Sequence, residues 1–218
     1  MTSIKEYNSA EHALQYLARA DRIAHRTAGE AMVLELVPRD VRRILDLGAG
    51  DGRLLALLRI DRPTARGVAT DLSPTMLDAA RVRFADDPLV EVMEHDLDAP
   101  LGALADPGEG GAFDAVVSCF AIHHCSHARK RALYGEVFEL LKPGGVFYNL
   151  EHVASPTPEL HAAFFDALGM SLADEDRSNQ LLDVETQVAW LREIGFAQVD
   201  CFWKWRELAV FGGVRPLS

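Results

Sequence analysis

Five apolar runs of strand length punctuate the first two thirds of the chain: Val41–Leu47, Ala65–Thr70, Val90–Glu94, Phe113–Cys119 and Gly145–Leu150. Each is followed by turn or capping residues and then by apolar positions at helical spacing. Strand-length runs alternating with helices predict a parallel α/β sheet. Their density of Val, Ile and Leu fits strands covered on both faces. Residues 1–40 read as helical, with apolar positions such as Leu14, Leu17 and Ile23. A final helix is expected near Val184–Ile194. Two more strand-like runs, Ala197–Trp203 and Leu208–Phe211, stand too close together for a helical crossover and predict an antiparallel pair. The expected fold is α/β, a doubly wound, mostly parallel sheet in one domain over 1–218. It divides into a helical cap (1–40), a ligand-binding core (41–150), a partly acidic inserted cap (151–183) and the final helix with its strand pair (184–218).

Composition narrows the partners. The 218 residues are 49% hydrophobic and 25% charged, enough for a sizeable core and unlike a disordered chain. Asp and Glu number 33 against 22 Lys and Arg, a net charge of −11. That balance lacks the bulk electrostatics of a nonspecific nucleic-acid or anionic-membrane binder. No run approaches the roughly 18 apolar residues that span a bilayer, and Met1–Glu11 has no apolar stretch of signal-peptide type. Cys119, Cys125 and Cys201 are odd in number and form no CxxC pair, so no disulfide framework is expected and the cytoplasm is the expected location.

The most informative segment is Ile44-Leu-Asp-Leu-Gly-Ala-Gly-Asp-Gly-Arg-Leu-Leu55, a strand running through Gly48, Gly50 and Gly52 into a helix. Such glycines permit a tight turn and close approach of backbone to ligand. Asp46 before the loop and Asp51 within it oppose a pyrophosphate at the helix N-terminus. They suit a cationic ligand without phosphate, and S-adenosylmethionine is one. Asp46, Asp71 and Asp96 recur every 25 residues at strand ends, where open parallel sheets bind ligands. Asp71 is placed for ribose hydroxyls, with helix capping as its plainer use, and Asp96 for the adenine amino group, with a turn as its plainer use.

With these residues the chain resembles the class I (Rossmann-like) S-adenosylmethionine-dependent methyltransferases of the small single-domain type. Asp46-Leu-Gly-Ala-Gly-Asp-Gly52 is similar to that family's first motif and Asp71-Leu-Ser-Pro-Thr-Met76 to its second-strand signature. His95-Asp96-Leu97, Phe113–His123 and Leu140–Val146 are similar to its adenine-site, fourth-strand and pre-fifth-strand segments. The resemblance implies seven strands with an antiparallel terminal strand, and S-adenosylmethionine as cofactor with S-adenosylhomocysteine as product. It implies that Asp46 holds the methionyl ammonium, directly or through water, and that Gly48 and Gly50 make room for the cofactor. Asp71 would bind ribose, Leu72, Met76, Asp96 and Leu97 would meet the adenine, and Ser118 and Cys119 would line the methionyl side through main-chain atoms.

The acceptor side is read from the ends of the fourth and fifth strands. There lie Phe120-Ala-Ile-His-His-Cys-Ser-His127 and Tyr148-Asn-Leu-Glu-His152. A histidine suits proton abstraction near neutrality. His123 is therefore the first candidate base, followed by Glu151 and His152, with packing against the cofactor as the plainer use of His123. His124, Tyr16, His25 and Arg26 are candidates for binding the acceptor. No metal is expected, since the histidines lack ligand spacing. The expected reaction is methyl transfer to O or N of a small polar metabolite. The competing readings are tRNA modification, another S-adenosylmethionine chemistry, a nicotinamide oxidoreductase and a noncatalytic cofactor-binding protein. The expected partner is a small-molecule acceptor rather than nucleic acid or membrane, and the expected assembly a monomer or homodimer.

Overall fold

A computed structural model describes residues 25–104 and 113–217. Its core is one seven-stranded sheet of β1 (Arg43–Leu47), β2 (Arg66–Asp71), β3 (Val90–Glu94), β4 (Phe113–Cys119), β5 (Leu141–His152), β6 (Ala197–Trp205) and β7 (Leu208–Val214). The order across the sheet is β3-β2-β1-β4-β5-β7-β6. Strands β1 to β5 pair in parallel, and β7 runs antiparallel to both β5 and β6. The sequence-based expectation of a doubly wound sheet with an antiparallel strand pair therefore stands.

The described helices are α1 (Arg26–Leu36), α2 (Arg53–Ile60), α3 (Pro74–Arg83), α4 (His127–Leu140), α5 (Pro158–Leu168) and α6 (Val184–Ile194). Their ends follow local chemistry. Pro74 opens α3 and Pro158 opens α5, where a missing N–H costs nothing. Asp183 caps α6 by accepting from the Thr186 N–H at 2.7 Å, and Gly195 ends it at φ 119°. Two apolar layers sandwich the sheet, one holding Leu45, Val116, Tyr134, Phe147 and Phe211, the other Ile44, Leu55, Val117 and Leu150. Adjacent residues of β1 and β4 fall into opposite layers, as side chains alternating across a pleated strand must. The edge strand β3 departs from the expected double coverage, and none of its residues is fully buried.

The order of strands reverses direction between β1 and β4, so the loops leaving those strands diverge there and open a crevice. Among the described residues, no helix is long and apolar enough to cross a membrane. Trp203 and Trp205 pack with Phe164, Phe165 and Leu208 while Lys204 between them is exposed, so the aromatic–cation alternation of β6 is a buried face and a wet face.

Candidate active site

A cavity of about 270 Å³ opens at the carboxyl edge of the sheet, on the β1/β4 crevice. Its first wall is the β1–α2 loop. Gly48 and Gly50 sit at φ +63° and +57°, a left-handed conformation that glycine adopts without penalty. A Cβ on Gly48 would lie 2.2 Å from Cβ of Ala121, so glycine is what lets the two loops meet. Gly50 has only the Met76 sulfur at 3.9 Å, leaving its Cα side open.

Asp71 braces this loop. Its Oδ2 accepts from the Gly50 N–H at 2.9 Å and its Oδ1 from the Ser73 N–H at 2.8 Å. Burial pushes its pKa up, against the hydrogen bonds from Ser73, Gly50 and Leu72. Leu72, Met76, Asp96 and Leu97 line the cavity beside it. Asp96 also serves as a turn acid, accepting from the Asp98 N–H at 2.9 Å. Ser73 Oγ and His95 Nε2 are buried without a hydrogen-bond partner, and both residues lie on the wall.

The second wall follows β4. Phe120 takes φ 53°, a strained conformation for a bulky residue, and turns the chain across the strand ends. A single 3₁₀ turn, Ile122–His124, then presents His123 and His124 to the cavity. His123 Nδ1 lies 2.5 Å from Glu151 Oε1. Glu151 is fully buried at the end of β5, and it also accepts from the His152 N–H at 2.9 Å and from Asn149 Nδ2 at 3.3 Å. Burial opposes its charge, yet His123, Lys130 and the His152 N–H together hold the carboxyl below the usual glutamate range. With Nδ1 committed to Glu151, His123 Nε2 is the nitrogen left to take a proton. Lys130 is buried, its pKa lowered by desolvation, and donates to the carbonyls of His123, Cys125 and Gln180 at 3.1, 2.5 and 2.8 Å.

The remaining wall comes from the segment after β5. Phe164, Phe165 and Leu168 of α5, with Met170 and Leu208, give it an apolar, ring-rich surface. His152 faces the same space, its ring centroid 5.9 Å from that of His123.

A family model described as "Methyltransferase domain" matches residues 45–147, the stretch that builds the first two walls. The chain belongs to the class I S-adenosylmethionine-dependent methyltransferases. It is 33% identical over 173 residues to a demethylmenaquinone methyltransferase of Clavibacter sepedonicus, covering 72% of this chain and 66% of that enzyme. A ubiquinone/menaquinone biosynthesis C-methyltransferase UbiE of Dinoroseobacter shibae is 29% identical over 191 residues, with 80% and 74% covered. In structure it is similar to an O-methyltransferase family protein of Burkholderia thailandensis, at TM-score 0.65 and 25% identity over 91% of this chain and 63% of that one. The chain thus spans about two thirds to three quarters of the length of these relatives.

The residues present fit the family's cofactor. A cradle of left-handed glycines leaves backbone room, and the three N–H groups bonded to Asp71 do not exhaust the lone pairs of its two oxygens. Two unpartnered polar atoms, Ser73 Oγ and His95 Nε2, lie buried at this wall.

Several expectations need correction. Asp46 does not line the cavity. Its fully buried carboxylate caps α2, Oδ2 accepting from the Leu55 N–H at 3.2 Å while Oδ1 has no partner. Burial, above all, raises its pKa to about 8. Asp51 is paired with Arg83, so the loop is less anionic than the sequence suggested, and the argument against a pyrophosphate is correspondingly weaker. Ser118 also lies off the wall, its Oγ donating to the Leu47 carbonyl at 2.7 Å, whereas Cys119 lines it with a thiol whose pKa burial raises. Glu151 stands behind His123 rather than at the cavity and meets that space only through the imidazole. His25 stacks on Trp205 at 4.0 Å and does not line the cavity, although Arg26 does, bound to Glu30 at 2.8 Å. Tyr16 lies outside the described residues. Glu207 escaped the sequence reading altogether. It is fully buried in the β6–β7 turn, its Oε2 lies 2.9 Å from His152 Nε2, and no local motif marks it.

Proposed function

We propose that this methyltransferase acts on a small, apolar, ring-bearing acceptor carrying an ionisable hydroxyl, with His123 as the base that takes the hydroxyl proton. The observation that carries the reading is the buried His123–Glu151 pair facing a wall of Phe164, Phe165, Leu168 and Met170. Such a wall favours flat apolar rings over the polar metabolite expected from sequence. The relatives named as demethylmenaquinone and ubiquinone/menaquinone C-methyltransferases point the same way, toward a quinol-type ring. Acidic net charge and packed β6 tryptophans speak against the nucleic-acid alternative.

The bound cofactor supplies an electrophilic methyl group on a cationic sulfur. Asp71 would hold its ribose, Leu72, Met76, Asp96 and Leu97 its adenine, and the Gly48–Gly50 backbone would give it room. On the acceptor side, Glu151 fixes His123 as the Nδ1–H tautomer and stabilises the imidazolium that forms when Nε2 accepts a proton. Ionising the hydroxyl makes both the oxygen and the adjacent ring carbon nucleophilic. The segment 151–183 acts as the acceptor cap through Phe164, Phe165, Leu168 and Met170, excluding water and aligning the ring. Alignment of this kind can supply about 7–11 kcal/mol of the barrier. Three free cysteines, two of them buried, suit a reducing cytoplasm.

The test is His123→Asn assayed with methyl-labelled S-adenosylmethionine and a panel of dithionite-reduced naphthoquinols and catechols. Turnover should fall by about 100-fold or more while calorimetric affinity for S-adenosylhomocysteine stays within about twofold of wild type. Unchanged turnover removes His123 from the chemistry.

A further inference from the structure

Glu207 has the burial and the partners of a working carboxylate. Its two oxygens serve two imidazoles: Oε2 lies 2.9 Å from His152 Nε2 and Oε1 lies 2.9 Å from His161 Nδ1. The turn is delivered there by strand pairing. His152 is opposite Leu208 in the β5–β7 ladder, and the Val153 N–H donates to the Glu207 carbonyl at 2.7 Å. His152 is faced by Glu207 from that turn, by the His123 ring from the β4 loop and by Phe164 from α5. Glu207 is faced further by His161 and the Ser155 side chain, and His161 by Glu175. The cavity is therefore served by two imidazoles, each backed by its own buried glutamate, with ring centroids 5.9 Å apart.

One base suffices to methylate oxygen or nitrogen, because a single proton leaves the atom that gains the methyl group. Ring carbon is different. A hydroxyl proton must leave first, and the hydrogen on the methylated carbon must leave afterwards, from another atom in another direction. We propose that His152, oriented by Glu207, is the second base of this site and removes that carbon-bound proton, so that the cavity is built for methylation of an aromatic carbon. This rests on the reading of His123 as the first base.

The atoms balance. The hydroxyl proton passes to His123, the electron pair of the adjacent ring carbon forms the new carbon–carbon bond, and the methyl–sulfur bond breaks with its pair remaining on sulfur. The ring carbon then carries both hydrogen and methyl, and the oxygen is a carbonyl. His152 Nδ1, left open because Nε2 is committed to Glu207, takes the hydrogen as a proton. The released pair restores the ring, the oxygen recovers its proton from His123, and His152 returns the net proton to solvent. Glu207 is a positioning residue in this scheme, since it acts through the imidazole.

Wild type, His152→Asn and Glu207→Gln would be given S-adenosylmethionine and dithionite-reduced 1,4-naphthoquinone, unlabelled or deuterated on its unsubstituted quinone-ring carbons. Wild type should give a ring-methylated product at a rate that deuteration leaves unchanged. In His152→Asn turnover should fall by about 100-fold, and in both variants deuteration should slow the reaction further, since loss of the ring proton has become limiting. Slowed variants without that isotope effect overturn the second-base role. An O-methylated product from wild type overturns it too, while leaving His123 in place; no methylated product at all overturns the acceptor reading and this proposal together. A second readout needs no acceptor. In ligand-free protein labelled with ¹⁵N-histidine, Nε2 of His152 should carry the proton, and Glu207→Gln should redistribute it between Nε2 and Nδ1. A tautomer that does not change in Glu207→Gln overturns the positioning role of Glu207.

Discussion

A fully buried carboxyl with one N–H partner gains little from ionising, so burial pushes Asp46 well above the usual carboxylate range. Its pKa rises from the ordinary 3.8 to about 8, so between those values the folded chain holds a proton that the unfolded chain has released. Stability from this residue therefore falls as pH rises across that window. In Asp46→Asn that slope should vanish, and urea titrations should show the variant gaining on wild type from pH 4 to pH 8. A parallel pair of curves would refute the assignment. A cationic ligand close to Asp46 should also expel this proton below pH 8, which calorimetry in buffers of different ionisation enthalpy reads directly. Asp71 braces the glycine loop, and substitution separates that duty from the proposed hold on ribose. Asp71→Ala leaves the Gly50 and Ser73 N–H groups unpaired, costing about 1–3 kcal/mol of stability along with cofactor binding. Asp71→Asn keeps one acceptor oxygen, so its loss of S-adenosylhomocysteine affinity should exceed its loss of stability.

At the scale of elements, α5 is held to the sheet by ionisable groups as well as by its phenylalanines. His161 bonds Glu207 and reaches Glu175 at 3.4 Å. Partial burial opposes its charge, but the two carboxylates win and raise its pKa above 6.5. The stabilisation is thus complete below pH 6.5 and is lost as pH climbs through the raised value. Hydrogen exchange in residues 158–183 should accelerate over that interval in wild type and show a flatter profile in His161→Gln. Strand pairing is tested by glycine. A Cβ on Gly212 would sit 1.9 Å from the Phe147 carbonyl oxygen, which cannot yield without parting β5 from β7. Gly212→Ala should destabilise by about 3 kcal/mol. Gly135, in α4 with open space around it, should gain about 0.5–1 kcal/mol as alanine. These elements were largely legible in sequence: the five apolar runs became β1 to β5, and Asp183 and Gly195 bracket the final helix at Val184–Ile194 as expected. β5 is longer than its apolar run because pairing extends it to Leu141 and His152.

Over the whole molecule, legibility divides with the cavity wall. The cofactor half is drawn from residues 48–125 in chain order, one loop per strand, so local motifs mark it. Asp46 does not reach the cavity because spacing places a residue at an edge without saying which way its side chain turns. The acceptor half assembles from α5, the loop around Glu175 and the β6–β7 turn. Glu207 meets His152 across 55 residues only because β7 pairs with β5, and no periodicity encodes such a meeting. Lys130 closes the seam between the halves. Its ammonium ties His123 and Cys125 on the cofactor half to Gln180 at the end of the acceptor half, and the Gln180 N–H answers at the His123 carbonyl. All three of its bonds go to main-chain oxygens, and the Ser178 hydroxyl and Gln180 amide add side-chain bonds to His124 across the same seam. The Lys130 anchor makes this stretch replaceable in principle: a foreign segment spliced in after Val153 and rejoined at Gln180 should keep the Gln180 carbonyl contact, inherit His123 and the glycine cradle, and bring a new clientele of rings to an old donor.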